Sequence, residues 1–344
     1  MKAKLKKFVG MPLIVVILAV ILIIGIASGE LRSAIAVLPE VRPWAVAGCV
    51  LCFAGYLLFD ALGIHSALKR QGYRLPFRET FLVALRGQYY YYITPGASGG
   101  QPMQVYYLRQ LGVPAGVGTS VMVCHFAAFQ TMLSVLMTLF AIPYYGVIRR
   151  NIDPHVPLLI LGYLVNAGMV AAVLLFSFAR QPVQALIRLS VTIARKFQLS
   201  RHPEALEKRL SETASLFHES MDRMRQHPLE IVRQLFLGGV QQLLLMSTLY
   251  VIYRGLGHSA SSYPEILAMG LAQYISAAYV PIPGASGAQE GVFSLYFRHV
   301  FPGGHCFAAM MLWRITTFYL PLIVSAISIL FYRRKEEHKE TGHA

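Results

Sequence analysis

Charge is what this sequence has least of. Only 14% of its 344 residues are Asp, Glu, Lys or Arg, against about 25% in typical soluble domains. Acids are the scarcer half, 16 against 31 Lys and Arg, which leaves a formal net charge of +15. Cysteine is sparse too. Cys49 and Cys52 form a C-x-x-C inside an apolar helix, and Cys124 and Cys306 sit in apolar runs. Without a second thiol pair or a His cluster, all four read as small packing residues rather than a redox pair or metal ligands. Also lacking is an aromatic-studded basic domain or a zinc module, so the positive charge does not point to nucleic acid. No cofactor motif stands out.

What is abundant is apolar surface. Hydrophobic residues make up 56% of the chain, and the mean hydropathy is +0.52. So few charged side chains cannot cover a water-facing surface, and lipid must solvate much of the chain. A soluble enzyme, a disordered chain and a secreted disulfide scaffold are excluded. The fold class is an all-α polytopic membrane protein.

The basic residues are grouped. Of the 31 Lys and Arg, 22 fall in four blocks, at 2–7, 69–78, 180–233 and 333–339. Each block flanks apolar segments, as cytoplasmic loops do under the positive-inside rule. Met11 to Ser28 is the first apolar run. Its rival reading is a signal peptide, whose apolar core is normally about 7–15 residues and therefore shorter. Further spans are expected at 44–68, 116–142, 156–179, 231–253 and 306–331. Two other apolar regions, 77–112 and 264–300, are broken in the middle by Pro and Gly. Parity makes both re-entrant hairpins, the first entering from the cytoplasm and the second from outside, with both termini cytoplasmic. Eight full crossings have the same parity and stay open as the alternative.

The expected organisation is a first membrane half over 1–179, a linker over 180–228, a second half over 229–331 and a charged tail over 332–344. The linker carries Leu206, Leu210, Phe217, Met221 and Met224 at helical spacing among alternating charges. That pattern predicts an amphipathic helix lying on the membrane or on its own bundle.

The hairpin tips repeat. Pro95-Gly96-Ala97-Ser98-Gly99-Gly100-Gln101 matches Pro283-Gly284-Ala285-Ser286-Gly287-Ala288-Gln289 at six of seven positions. The offset of 188 also pairs Tyr91 with Tyr279 and Pro114 with Pro302. With the parity above, this is an inverted repeat. Gly/Pro-interrupted segments at matching places in two such halves are the pattern of secondary transporters, whose sites lie near the midplane. A helix starting just after such a tip presents free N–H groups and a positive dipole end, suited to a phosphate. Ser286-x-x-Gln289 reads as a capping box. In the first copy Pro102 follows Gln101, which predicts a later helix start there.

Membrane charges are costly and face cavities or partners. Asp60, Arg86, His125, Glu290, Arg298 and Arg314 stand in apolar surroundings. Glu290 is read equally as a site for a cationic headgroup or proton and as a packing partner of Arg314 or Arg86. Asp60, Arg86, Arg109 and Arg298 are candidate cavity charges, although Arg109 and Arg298 also suit hairpin ends where they snorkel to headgroups. His125 reads as a packing residue. The run Tyr89 to Tyr92 suits a cavity wall or an interfacial anchor. Gly96-x-Ser98-x-Gly100 fits a serine-nucleophile pattern, but that motif needs a strand before its helix, and nothing here reads as a sheet.

PGASGGQP at 95–102, PIPGASGAQEG at 281–291, Gly-Val-Pro at 112–114 and Trp313-Arg314 resemble the lysylphosphatidylglycerol synthase/flippase transmembrane family. This is the membrane part of multiple peptide resistance factors, which act in resistance to antimicrobial peptides. The resemblance covers about residues 8–331. It implies a translocase in the cell membrane that moves aminoacylated phosphatidylglycerol, or a related anionic phospholipid, between leaflets. Its substrate-binding residues would come from Pro95, Gly96, Ser98, Gly99, Gly100, Gln101, Pro283, Gly284, Ser286, Gly287, Gln289, Glu290 and Arg314. Only a short charged tail follows Phe331, so the family's soluble lysyltransferase domain is not expected, and a separate lipid-modifying enzyme would be the partner. Self-association is a further option. The family's acidic-plus-Arg pair is replaced by Cys124-His125 at the helix after the first tip. The alternative function is a membrane-embedded enzyme, or enzyme subunit, acting on a polyprenyl-phosphate or glycolipid.

Overall fold

The computed structural model describes residues 38–196, 203–302 and 304–341, which fold as helices and short connections, with no strand among them. The expected first span at Met11 to Ser28 lies outside the described residues. The helices are α1 (Pro43–Arg70), α2 (Phe77–Ile93), α3 (Gly100–Gln110), α4 (Ala115–Ala141), α5 (Tyr145–Ile152) and α6 (Val156–Phe178). The linker follows as α7 (Arg180–Lys196) and α8 (Pro203–Arg225). The second half contains α9 (Pro228–Gly255), α10 (Tyr263–Ala277), α11 (Ala288–Phe297), α12 (His305–Arg314), a π-helical turn (Ile315–Tyr319) and α13 (Leu320–Thr341).

Proline sets several starts. Pro43 and Pro228 occupy the first position of α1 and α9, where a missing N–H breaks no helical bond. Among the described residues five helices are long and apolar enough to cross a membrane: α1, α4, α6, α9 and the run His305–Tyr332. Each matches an expected span to within a few residues. The hairpin arms are shorter. With 11 and 10 residues, α3 and α11 rise about 16 Å, roughly half of a ~30 Å hydrocarbon layer.

The surface of α6 is that of a lipid-facing helix. Its buried residues are Gly162, Asn166 and Ser177, while Leu161 and Leu164 are about 60% exposed (58% and 62%). Small and polar residues face the protein and large apolar ones face outward, the inverse of a soluble helix. Gly162 is where the α10 backbone comes close: a Cβ there would lie 2.3 Å from the Ile275 carbonyl oxygen. Asn166 donates hydrogen bonds to Ser134 Oγ and the Gln130 carbonyl on α4, at 2.7 and 3.0 Å.

The repeat extends beyond the tips. The same offset carries α1 onto 231–258, within three residues of α9, and α1 and α9 are the most closely packed helices of the bundle. It also carries α2, α3 and α4 onto α10, α11 and the run from α12 through α13. The two hairpins differ in cover. Eleven of the fifteen residues of α10 are buried, against seven of the seventeen of α2.

The linker departs from expectation. It is two helices packed side by side, not one, with Arg180 and Asp222 paired at 3.3 Å across them. Met221 and Met224 of α8 are buried, and α8 packs on α4. The apolar face therefore rests on the bundle itself.

The inverted order has a direct test. On a cysteine-free background, Arg78→Cys, Gln110→Cys and Gln226→Cys should react with an impermeant thiol reagent from one side only. Ser259→Cys and His299→Cys should react only from the other. Labelling of Gln110→Cys and His299→Cys from a common side would overturn the order.

Candidate functional site

The two tips fold alike, and they touch. In each, the chain leaves a helix and makes two successive turns. Ala97 and Ser98 N–H donate to the Thr94 and Pro95 carbonyls at 3.2 and 3.3 Å; Ala285 and Ser286 N–H donate to Ile282 and Pro283 at 2.9 and 3.2 Å. The central residues are left-handed in both copies, with φ of 58° and 56° at Gly96 and Ala97 and of 60° and 47° at Gly284 and Ala285. Glycine takes this shape freely, whereas alanine does so at a cost of about 1–2 kcal/mol. Pro95 and Pro283, equivalent residues of the repeat, form an isolated antiparallel bridge.

The helix after each tip starts at the matching place, Gly100 and Ala288. The later start expected from Pro102 does not occur, because Pro102 falls in the first turn of α3, where its absent N–H has no partner to lose. The capping residue of the second copy also differs by one position. Gly287 N–H donates to Glu290 Oε2 at 2.6 Å, so Glu290, not Gln289, closes that turn.

Glu290 is buried against Arg314, with Arg314 Nε 2.8 Å from Glu290 Oε1 and both side chains 5% exposed. Neither atom is aligned for a hydrogen bond, so this is an ion contact. Arg314 Nη2 also donates to Ser286 Oγ at 2.9 Å and to the Gly284 carbonyl at 3.4 Å. Its guanidinium lies 4.2 Å from the centre of the Phe318 ring. One arginine therefore fixes the second tip at three points. The residues in the equivalent places of the first copy are Pro102 and Phe126, and the first tip is exposed from Pro95 to Ser98 while Pro283, Ala285 and Ser286 are buried.

A cavity of about 310 Å³ lies where the tips meet. Gly96 and Ala97 form part of its wall from one copy, Gly284, Ala285 and Gln289 from the other, with Asp60, His125 and Arg314 among its polar groups and Phe53, Phe126 and Phe129 among its apolar ones. Tyr91 and Tyr92 belong to the wall, and Tyr92 hydroxyl donates to the Thr317 carbonyl in the π-turn at 3.0 Å. A π-turn beside Arg314 is where such turns concentrate, at sites of function.

Of the residues read from the sequence, the structure brings Gly96, Gly284, Gln289, Asp60 and Arg314 to this wall. Pro95, Pro283, Ser286 and Glu290 stand behind it as bridge and clamp. Ser98, Gly99, Gly100, Gln101 and Gly287 belong to the tips but not to the wall. Arg109 and Arg298 are exposed at helix ends, away from the cavity proposed for them. Arg86 is buried elsewhere, 4.3 Å from the Tyr332 ring centre. His125, read as a packing residue, is on the wall: its Nε2 lies 2.7 Å from Asp60 Oδ1. Gln88, Gln104, Gln130 and Gln241, also on the wall, were missed; glutamines inside apolar runs are their only signal. A second hollow of about 320 Å³, between α7 and α8, contains none of these residues.

The sequence profile of the lysylphosphatidylglycerol synthase TM region matches residues 11–325. The chain belongs to that family. It is also similar to a UPF0104 membrane protein of Methanocaldococcus jannaschii, 25% identical over 279 residues, which are 79% of this chain and 80% of the relative. A second UPF0104 membrane protein, from Methanothermobacter thermautotrophicus, is 25% identical over 256 residues, 71% of this chain and 70% of the relative. Neither relative's name states an activity. Together with the five spans, the match makes the chain a multi-pass membrane protein.

Two stability predictions follow from the clamp. Arg314→Met leaves Glu290 buried and unpaired, and should destabilise the protein by about 3 kcal/mol or more. The double variant Arg314→Met/Glu290→Gln should recover part of that loss in melting curves of detergent-purified protein. Gly284→Ala would place a Cβ 2.0 Å from Phe318 Cε2, whereas Gly96→Ala meets nothing within 4 Å. Both strain φ, so Gly284→Ala should melt well below Gly96→Ala.

Proposed function

We propose that the protein is a lipid translocase that moves an aminoacylated phosphatidylglycerol, such as lysylphosphatidylglycerol, or a related anionic phospholipid between leaflets of the cell membrane. The observation that carries this reading is the cavity itself. It is walled by both copies of an internal repeat, is polar at the tips and apolar beside them, and lies among membrane-spanning helices. A headgroup fits the polar part and the start of the acyl chains the aromatic part. Family membership supports the lipid class.

In this reading the two hairpins are re-entrant and enter from opposite faces, and the short α3 and α11 end inside the membrane. The basic face bearing α7 and α8 is cytoplasmic. Arg314, whose charge Glu290 balances, offers the phosphate N–H donors rather than a net charge, while Asp60 faces any ammonium on the headgroup. A lipid-modifying enzyme that makes the aminoacyl lipid is the expected partner.

Purified protein in proteoliposomes should carry fluorescent lysylphosphatidylglycerol across the bilayer, read by protection from an impermeant quencher. Ala278→Trp fills a wall position, and should slow movement about tenfold or more, equivalent to about 1.4 kcal/mol of barrier. Wild-type vesicles that move neither lysylphosphatidylglycerol nor phosphatidylglycerol faster than protein-free vesicles would overturn the proposal.

A further inference from the structure

The cavity contains a second charged pair, of which the lipid reading uses only the Asp60 carboxylate. Asp60 of α1 and His125 of α4 are both buried, at 6% and 8% exposed. The hydrogen-bond pattern around them counts protons. Gln234 of α9 donates through Nε2 to the Gly63 carbonyl and to Glu230 Oε1, both at 2.9 Å. The Gly63 carbonyl can only accept, which fixes the amide with Oε1 toward His125. The 3.1 Å contact between Gln234 Oε1 and His125 Nδ1 therefore needs a proton on Nδ1.

That leaves the other ring nitrogen. His125 Nε2 is 2.7 Å from Asp60 Oδ1. With one proton between them the contact is a strong charge-assisted or neutral hydrogen bond. With none, a nitrogen lone pair faces a carboxylate oxygen, and two acceptors at that distance repel. The observed contact exists only with a proton in it. Asp60 Oδ2 has no hydrogen-bond partner among the described residues, and Asp60 and His125 both stand on the cavity wall.

We propose that Asp60 and His125 form a proton-binding site whose proton is exchanged for the ammonium of a cationic lipid headgroup. This rests on the lipid reading for its cargo, but not for the proton. Loaded with a proton, the pair is neutral overall and ties α1 to α4, while Gln234 and Ser66 carry the tie to α9 through Glu230. Ser66 Oγ donates to Glu230 Oε1 at 2.8 Å. Loss of the proton leaves one net negative charge in a low-dielectric wall and breaks the α1–α4 contact. An ammonium that enters the cavity beside Asp60 compensates that charge, so proton and headgroup compete. The proton leaves by the cavity as the headgroup enters.

Other ionisable groups around the pair keep the count simple. Tyr56 of α1, Tyr91 and Tyr92 of α2, Tyr274 of α10, Tyr279 just beyond it and Arg314 of α12 share the cavity. Arg314 is committed to Glu290, and tyrosines in water titrate only near about 10. Behind the pair lie Glu230, with Arg233 at 3.5 Å, and Cys124 of α4 and Arg225 of α8, which line an adjoining pocket with Gln234. α3 and α6 present Gln104 and Met169, neither of which titrates.

The test uses full-length protein and reads proton and lipid separately. In detergent, adding short-chain lysylphosphatidylglycerol at weak buffering should release about one proton per protein, detected with a pH dye, and phosphatidylglycerol should release none. Asp60→Asn and His125→Gln should abolish the release. In proteoliposomes, wild-type movement of lysylphosphatidylglycerol should change about tenfold per pH unit on one side of a single transition, the slope of one titrating proton. Asp60→Asn should be flat, and His299→Gln, an exposed histidine elsewhere, should keep the wild-type profile. Melting temperature against pH, measured without lipid, should show a transition in wild type that Asp60→Asn removes. Lipid movement that is flat with pH, together with melting that is flat with pH, would overturn the proton site. If no lipid moves, the transport reading fails, and the melting series still decides the proton site by itself.

Discussion

Two stretches of non-helical backbone meeting inside an apolar bundle impose the constraint on which the rest of this structure depends. A peptide group buried there must find a partner within the protein, because apolar side chains offer none. The chain meets this by folding the tips into successive turns and by having Arg314 reach the Gly284 carbonyl and Ser286. Arg314 in turn needs a counter-charge, which Glu290 supplies while closing the first turn of α11. The π-turn after Arg314 and the Tyr92 bond to Thr317 complete the ring of contacts. The second tip is thus held by side chains around it, while the first keeps an exposed face where the cavity lies.

The two copies share a backbone and divide the chemistry. Where the second copy has Glu290 and Arg314, the first has Pro102 and Phe126; where the first has Asp60 and His125, the second has Thr248 and Trp313. Each copy thus carries one buried acid–base pair, from different positions. One pair immobilises a tip. The other sits where helices α1, α4 and α9 join, and its hydrogen bonds depend on a proton. A strictly symmetric protein would have two clamps or two switches, and this one has one of each.

Much of this was legible in the sequence because it depends on local pattern. Apolar runs bounded by Pro and Arg placed α1, α4, α6 and α9 to within about three residues, and the duplicated PGASG located the centre of the bundle. Even the packing alternative for Glu290 had its partner, Arg314, as one of two candidates, since a buried carboxylate needs a cation and few are at hand. What was not legible depends on long-range contact. His125 and Asp60 are 65 residues apart, and nothing local distinguishes a packed histidine from one holding a carboxylate. Arg109 and Arg298 look as membrane-embedded as Arg314 in a hydropathy window. Only the end of a short helix puts them at the surface. The π-turn has no sequence mark at all, and the amphipathic spacing at 206–224 does not show that α7 packs beside α8.

The contact between Pro95 and Pro283 limits how far the two copies can diverge. A residue that touches its own repeat image lies close to the axis that interchanges the copies, so a change at either position alters one and the same contact. Elsewhere the copies face different neighbours and have taken different residues, Glu290 against Pro102 and Trp313 against His125. At the axis that freedom ends, because each copy is the other's neighbour.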